Sequence, residues 1–382
     1  MKKFYITLFL LNSLMGISQI PIDYYSSATG TGYTLKTQLS QIISNNTNSS
    51  GSSANYGGLW TLYTQPAMRD NYYENNGTLL DIYSENPTGV DAYEYTSTTQ
   101  QCSGSTPLNE GGCYNREHII PQNVFTSQYP MQSDAHFVLP SDNRVNGWRD
   151  TYPFGMVVTT MGVACTNSAA GNAGTTPCFT TNGSRLGRNT NTGYATGYSG
   201  IVFEPINEFK GDVARAIFYF ITRYETRVST WSYPMFNGTS TQVLTDTFLE
   251  IMKQWHILDP VSNYEIAKNN RIHYNFQGNR NPFIDNPSYV TAIWGTALSS
   301  VSFELDNISV YPNPVNDNRI NIQTEVVLDE IQLISVNGQI MQQIKKPTAN
   351  GTNYTLENLP KGFYILKLSS ENQSTIKKII VN

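Results

Sequence analysis

The stretch NREHIIPQ, Asn115–Gln122, places one of only four histidines directly after a glutamate and ahead of two isoleucines and a proline. A polar pair followed by an apolar pair reads as a strand end running into the core. Two roles compete for it: a hydrogen-bonded polar pair that closes a buried strand, or a general base beside a metal ligand. Adjacent residues of a regular strand point to opposite faces, so Glu117 and His118 can serve one site only where the strand ends or twists. Pro121 makes such an ending reasonable.

Downstream lies DAHFVLPSDNRVNGWRDTYPFG, Asp134–Gly155. Ser141, after Pro140, suits the N-cap of a short helix through Asn143, Val145 and Asn146. A strand or hairpin bearing Glu117 and His118, packed on that helix, brings Asn146 to the same point. Phosphodiester hydrolysis needs such a set. Water must lose a proton, and an imidazole of pKa near about 6.5 takes it at neutral pH. Charge then grows on the phosphoryl oxygens and the leaving oxygen, and a hard divalent cation held by Glu and Asn oxygens offsets it. His136 fits a structural or supporting role, with a second metal ligand or a catalytic acid as its rival, and Asp134 and Asp142 are candidate outer acceptors.

Helical periodicity marks the scaffold. Leu35, Leu39, Ile42 and Ile43 share one face, and Val213, Ile217, Phe220, Ile221 and Tyr224 share another. A third stripe joins Phe248, Ile251, Met252 and Trp255, and Ser262 with Glu265 has the spacing of a capping box. Beyond Leu298 come short β-branched runs separated by Pro, Asn337-Gly338 and Lys-Gly turns, the pattern of a small all-β unit. The division expected is residues 1–18 as a signal peptide, 19–297 as a catalytic domain and 298–382 as a β-sandwich. The fold class expected is α+β.

Lys2 and Lys3 followed by an apolar run from Phe4 to Ile17 read as a secretory signal, with cleavage before Gln19. Export exposes Cys102, Cys113, Cys165 and Cys178 to oxidation. Four cysteines allow three pairings; the local ones are Cys102–Cys113 and Cys165–Cys178, and the lack of a C-x-x-C pair weighs against zinc. With 14% charged and 12% aromatic residues among 382, general disorder is excluded. The formal net charge of −5 argues against nucleic-acid binding by bulk electrostatics. A bound cation can still supply positive charge locally.

The segments LDIYSE (Leu80–Glu85), NREHIIPQ, DAHFVLP, VNGWR, FEP with KGDVARAIFYF, and QGNRNPFID, in that order from about Thr34 to Trp294, resemble the endonuclease I family of secreted and periplasmic nucleases. The resemblance implies a ββα-metal (His-Me finger) domain, mainly helical around a small sheet. It implies His118 as general base and Glu117 with Asn146 as ligands of one Mg²⁺, with Mn²⁺ or Ca²⁺ as alternatives. DNA and RNA are the implied substrates, read by backbone and cut to 5′-phosphates. Some relatives carry a phosphate-binding arginine between the two histidine motifs; here that stretch, NVFTSQYPMQS, has none. Arg149 is the first substitute, Arg116 the second and Arg280 the third, each with an ion-pair role as its rival. Separately, YPNP, VNGQIM and LPKGFYILKL in the last part of the chain resemble the type A C-terminal sorting domain of type IX secretion substrates. That implies contact with the secretion machinery and an extracellular or cell-surface destination for a protein expected to be monomeric. The rival function is a secreted binding or adhesion protein that has lost activity on the same fold.

Overall fold

The computed structural model describes residues 20–47, 54–96, 98–102, 109–158, 178–179, 183–295, 308–324, 327–335, 339–370 and 373–382. The expected signal segment, the Cys165–Cys178 pairing and the Asn337-Gly338 turn lie outside them. The chain divides into two compact units, Met1–Ala297 and Leu298–Asn382.

The first unit opens with α1 (Gly32–Asn45) and α2 (Gly58–Tyr63). A hairpin of β1 (Tyr114–His118) and β2 (Val138–Asp142) follows, and α3 (Asn143–Arg149) leaves β2 without a loop. Next come β3 (Cys178–Phe179), β4 (Arg185–Arg188) and β5 (Ile201–Glu204), an antiparallel sheet in that order. The remainder is helical: α4 (Lys210–Arg223), α5 (Glu225–Val228), α6 (Asp246–Leu258), α7 (Asn263–Asn275), α8 (Pro282–Asp285) and α9 (Tyr289–Trp294). Mixed helix and sheet with segregated strands make the unit α+β. Among the described residues no helix is long and apolar enough to cross a membrane.

The sequence predicts one buried stripe on α4, but every residue of it is buried, because α1, α6 and α8 pack around it. Its charged residues are therefore paired. Arg215 meets Glu265 in a two-pronged contact of 2.6 and 2.7 Å. Arg223 reaches Asp134 Oδ2 at 2.5 Å. Removing one partner of such a pair would strand the other charge, at about 3–5 kcal/mol. Glu265 also completes the expected capping box with Ser262 at the head of α7.

The cap of α3 differs by one residue from the expectation. Asp142, not Ser141, accepts from the backbone N–H of Arg144 at 2.7 Å and of Val145 at 2.9 Å. Ser141 still belongs to β2, paired with Asn115. The carboxylate caps because it can accept both amides and offset the positive end of the helix. Its other oxygen takes the Gly111 amide at 2.8 Å and the Tyr95 hydroxyl. Just ahead of β1, Cys102 and Cys113 form a disulfide.

In the second unit β6 (Ser309–Tyr311), β7 (Ile320–Gln323), β8 (Glu330–Ser335), β9 (Ile340–Lys345), β10 (Asn353–Leu356), β11 (Gly362–Ser370) and β12 (Gln373–Val381) form two antiparallel sheets. Their orders are β10-β7-β6 and β12-β11-β8-β9. Ile320, Ile322, Tyr354 and Leu356 from the first share a core with Ile331, Leu333, Leu366 and Leu368 from the second. Alternation along β11 sends Tyr364, Leu366 and Leu368 inward and leaves Phe363 and Ile365 exposed. It is a small β-sandwich.

Candidate active site

The β1–β2–α3 unit borders a polar cleft of about 340 Å³, lined by Arg116, Glu117, His118, Asn146 and Arg149 among others. The antiparallel register sets Glu117 opposite Leu139 and His118, the last residue of β1, opposite Val138. Adjacent residues therefore reach one cleft at a strand end.

Glu117 is buried, and its Oε1 accepts from the Tyr83 hydroxyl at 2.8 Å. The same oxygen lies 3.2 Å from Arg149 Nη1. Burial pushes the Glu117 carboxyl up, while Arg149 and the Tyr83 hydroxyl pull the other way. The His118 Nε2–H donates to the Gln132 carbonyl oxygen at 3.0 Å. That contact fixes the tautomer and leaves Nδ1 as the imidazole's acceptor. Tyr56, Phe125 and Phe137 surround the ring, with centroids 5.9 to 6.1 Å away. Burial pulls the imidazole down to about 4, helped by Arg116 and Arg149 and opposed by the Gln132 contact. His118 is therefore neutral at pH 7.

Asn146, on the first turns of α3, lines the cleft half-buried. Among the described residues no hydrogen-bond partner engages its side-chain amide. Glu117 Oε1 takes the Tyr83 hydroxyl and faces Arg149, and the His118 backbone N–H also acts on the carboxylate. A buried carboxylate and a half-buried amide oxygen beside one cleft fit a hard divalent cation in donor chemistry.

The three arginines separate by environment, and two expectations are corrected. Arg149, expected to touch phosphate, is fully buried and turned onto the protein. Its Nη1 donates to the His118 carbonyl at 3.0 Å and its Nη2 to the Ile119 carbonyl at 2.5 Å. Those carbonyls sit where β1 stops, and the guanidinium satisfies them while holding Glu117. Arg149 is thus a positioning residue. Arg280 is away from the cleft, its Nε and Nη2 held by Asp285 at 2.6 and 2.7 Å. A buried arginine needs such a carboxylate, which removes it from substrate contact. Arg116 lines the cleft, with Cζ 3.4 Å from the Tyr56 ring centroid and 4.3 Å from that of Trp60. Its Nη1 donates to the Tyr56 carbonyl at 2.7 Å; Nη2 takes no protein acceptor among the described residues.

QGNRNPFID closes the fold. Gln277 Nε2 donates to Asp134 Oδ1 at 2.8 Å, and Asp134 is further held by Tyr219, Tyr224 and Arg223. His136 lies in the turn before β2, buried, with Nε2 3.2 Å from the Asn279 carbonyl. Tyr83, Tyr56 and the Gln132 carbonyl carry no role in the sequence reading. LDIYSE held the signal for Tyr83; Tyr56 lies in a Ser-, Asn- and Gly-rich stretch that carries no motif, and no side-chain pattern marks a backbone carbonyl.

Residues 31–288 match the family model described as Endonuclease I, and residues 309–382 match the Secretion system C-terminal sorting domain. An extracellular ribonuclease of Bacillus amyloliquefaciens is 29% identical over 282 residues, covering 71% of this chain and 78% of its own length. An extracellular ribonuclease of Bacillus subtilis (strain 168) is 30% identical over 288 residues, with the same coverage. The sorting domain implies contact with the type IX secretion machinery and places the protein outside the cell or on its surface. With a family match over residues 31–288, more than half of the chain, and a sorting domain behind it, the chain belongs to the endonuclease I family of nucleases.

Proposed function

We propose that the protein is a metal-dependent endonuclease of the His-Me finger type that hydrolyses DNA and RNA without sequence preference, leaving 5′-phosphates. The observation that carries this reading is the neutral His118, anchored through Nε2 and lining one cleft with Glu117 and Asn146. The family supports a nuclease, and the two relatives are named as extracellular ribonucleases, which supports RNA among the substrates.

In this reading His118 Nδ1 takes the proton of the attacking water. Glu117 and Asn146 hold one divalent cation, Mg²⁺ by preference. When bound, the cation supplies positive charge for the phosphoryl and leaving oxygens. Arg149 and Tyr83 fix the Glu117 carboxylate from behind, and the Gln132 carbonyl keeps His118 in its tautomer. Arg116, its guanidinium stacked on Tyr56, contacts a backbone phosphate beside the scissile one. Few base-reading groups are required, because phosphate contacts position without specifying sequence.

Nicking of supercoiled plasmid and cleavage of a structured RNA, by wild type and His118→Ala with Mg²⁺ or EDTA, test this directly. Loss of cleavage on both mutation and chelation is expected, with Mg²⁺ binding to His118→Ala retained by calorimetry. Wild-type turnover in His118→Ala would remove the proposed base. A folded, metal-binding wild type without cleavage would favour a binding protein on this fold.

A further inference from the structure

The loop that carries Tyr83 also buries an acidic cluster that the cleft does not use. Asp70, Glu74 and Glu85 bring carboxylate oxygens within 4.8 Å of one another. Glu85 is 1% exposed, and neither of its oxygens has a hydrogen-bond donor. Both oxygens of Glu74 are likewise buried without a donor. No Lys, Arg or His lies within ion-pair distance of the three among the described residues.

The remaining neighbours add negative charge. Asp91 acts on Glu85 together with Glu74 and Asp70, and burial pushes the Glu85 carboxyl well above the ordinary carboxylate range. Asp91 itself is raised to about 6. Two carboxylates can hydrogen-bond to each other only if one keeps a proton, and carboxyls clustered in the interior are costly unless paired or metal-bound.

We propose that Asp70, Glu74 and Glu85, with Asp91 alongside, form a second, structural Ca²⁺ site separate from the cleft. Oxygen-only ligands suit a hard cation, and the cluster fits within the span of a Ca²⁺ oxygen shell, about 4.6–5.2 Å from the usual ligand distances. Asp70 arrives preorganised: Oδ1 accepts from the Tyr72 and Tyr73 amides at 3.1 and 2.8 Å. The destination of the protein fits too, since extracellular Ca²⁺ modules work at dissociation constants of about 10⁻⁴–10⁻³ M. The ion would pin the segment from which Asp81 accepts the Asp142 amide at 2.6 Å and Tyr83 reaches Glu117. In that position it stiffens the support of the cleft without touching substrate.

The test is CaCl₂ titration of the exported chain after EDTA treatment, followed by thermal melting and by Tb³⁺ luminescence. Four proteins are compared: wild type, Glu117→Ala, Glu85→Gln and Glu74→Gln. Ca²⁺ should raise the melting midpoint of wild type and Glu117→Ala alike, with roughly one ion bound per chain at this loop. Glu85→Gln should melt higher than wild type in EDTA, because a buried carboxyl that must take up a proton on folding is gone, and should lose the response to Ca²⁺. Glu74, half-buried, provides the second variant should Glu85→Gln not fold. A wild-type-sized Ca²⁺ response in either glutamine variant overturns the proposal. So does a wild type with no response, or a response abolished by Glu117→Ala alone, which would assign the ion to the cleft.

Discussion

Arg149 Nη1 stands 3.2 Å from Glu117 Oε1, and the same guanidinium donates to the carbonyls of His118 and Ile119. One side chain thus holds the carboxylate and closes the strand bearing both candidate catalytic groups. Its fork geometry is what a lysine lacks. Arg149→Lys should raise the Mg²⁺ concentration for half-maximal cleavage by about 10–100-fold, the usual range for groups that orient ligands. Calorimetry of Mg²⁺ binding checks this without turnover. Unchanged affinity would reduce Arg149 to fold closure alone.

Tyr83 holds the other approach to Glu117, with its hydroxyl 2.8 Å from Oε1 inside the core. Tyr83→Phe deletes one charge-assisted hydrogen bond and little volume. A stability loss of about 1.5–3 kcal/mol is expected, measured by urea unfolding. Mg²⁺ affinity should fall with it. Stability lost with affinity retained would show that Arg149 orients the carboxylate alone.

The histidines make pH the sharper probe of the site. His118 is held down to about 4 by burial, so the base form persists from neutrality into weak acid. The acidic limb of kcat/KM should lie well below the about 6.5 of an ordinary histidine. Initial rates on a short duplex from pH 4.5 to 8 decide it. A limb near 6.5 would mean that the working histidine is solvated, contrary to the buried ring.

His136 and Asp134 set stability against pH in separate windows. Burial lowers His136 to about 3 in the fold, with Nδ1 left without a partner. Between about 6.5 and about 3 the unfolded chain therefore binds the extra proton. Stability is full above about 6.5 and declines as pH falls, by at most about 1.4 kcal/mol per unit from this residue. Asp134 is also depressed, with Arg223 opposing the burial cost, so its contribution is lost only at more acid pH. His136→Gln should flatten the decline between pH 6 and 4, read from urea midpoints; an unaltered slope would sink the assignment.

Much of this was legible in the residue pattern, and the failures share a cause. The stripes of α1, α4 and α6, the capping box at Ser262 and the strand end at His118 are local, so spacing reveals them. The grouping of Glu117, His118 and Asn146 at one cleft followed from motif order together with the ββα arrangement. Arg149, Arg280 and Tyr83 were another matter. An arginine's work depends on which carboxylate lies opposite: Glu117 is 32 positions from Arg149, and Asp285 faces Arg280 only because α8 begins with a turn at Asn281. No spacing rule distinguishes a guanidinium facing solvent from one facing a strand's last carbonyls. Asp142 displaced Ser141 as the cap for a similar reason, since both can accept and only register decides which one ends the strand.

Arg116 is the arginine left facing the cleft, and salt dependence isolates what it does. Its stack on Tyr56 and Trp60 fixes the guanidinium plane, and Nη1 is already spent on the Tyr56 carbonyl. Nη2 is the donor available to a phosphate. A group that neutralises one backbone phosphate contributes about one to the slope of log affinity against log salt. Arg116→Gln should therefore raise KM on duplex and single-stranded substrates alike, with a smaller effect on kcat, and reduce that slope by about one. Binding of an uncleavable duplex in EDTA, measured from 50 to 300 mM NaCl, separates this from catalysis. If the slope is unchanged while affinity drops, the loss belongs to the collapsed aromatic stack, and the phosphate contact has to be sought among the cleft's amides at Asn115, Gln122 and Asn123.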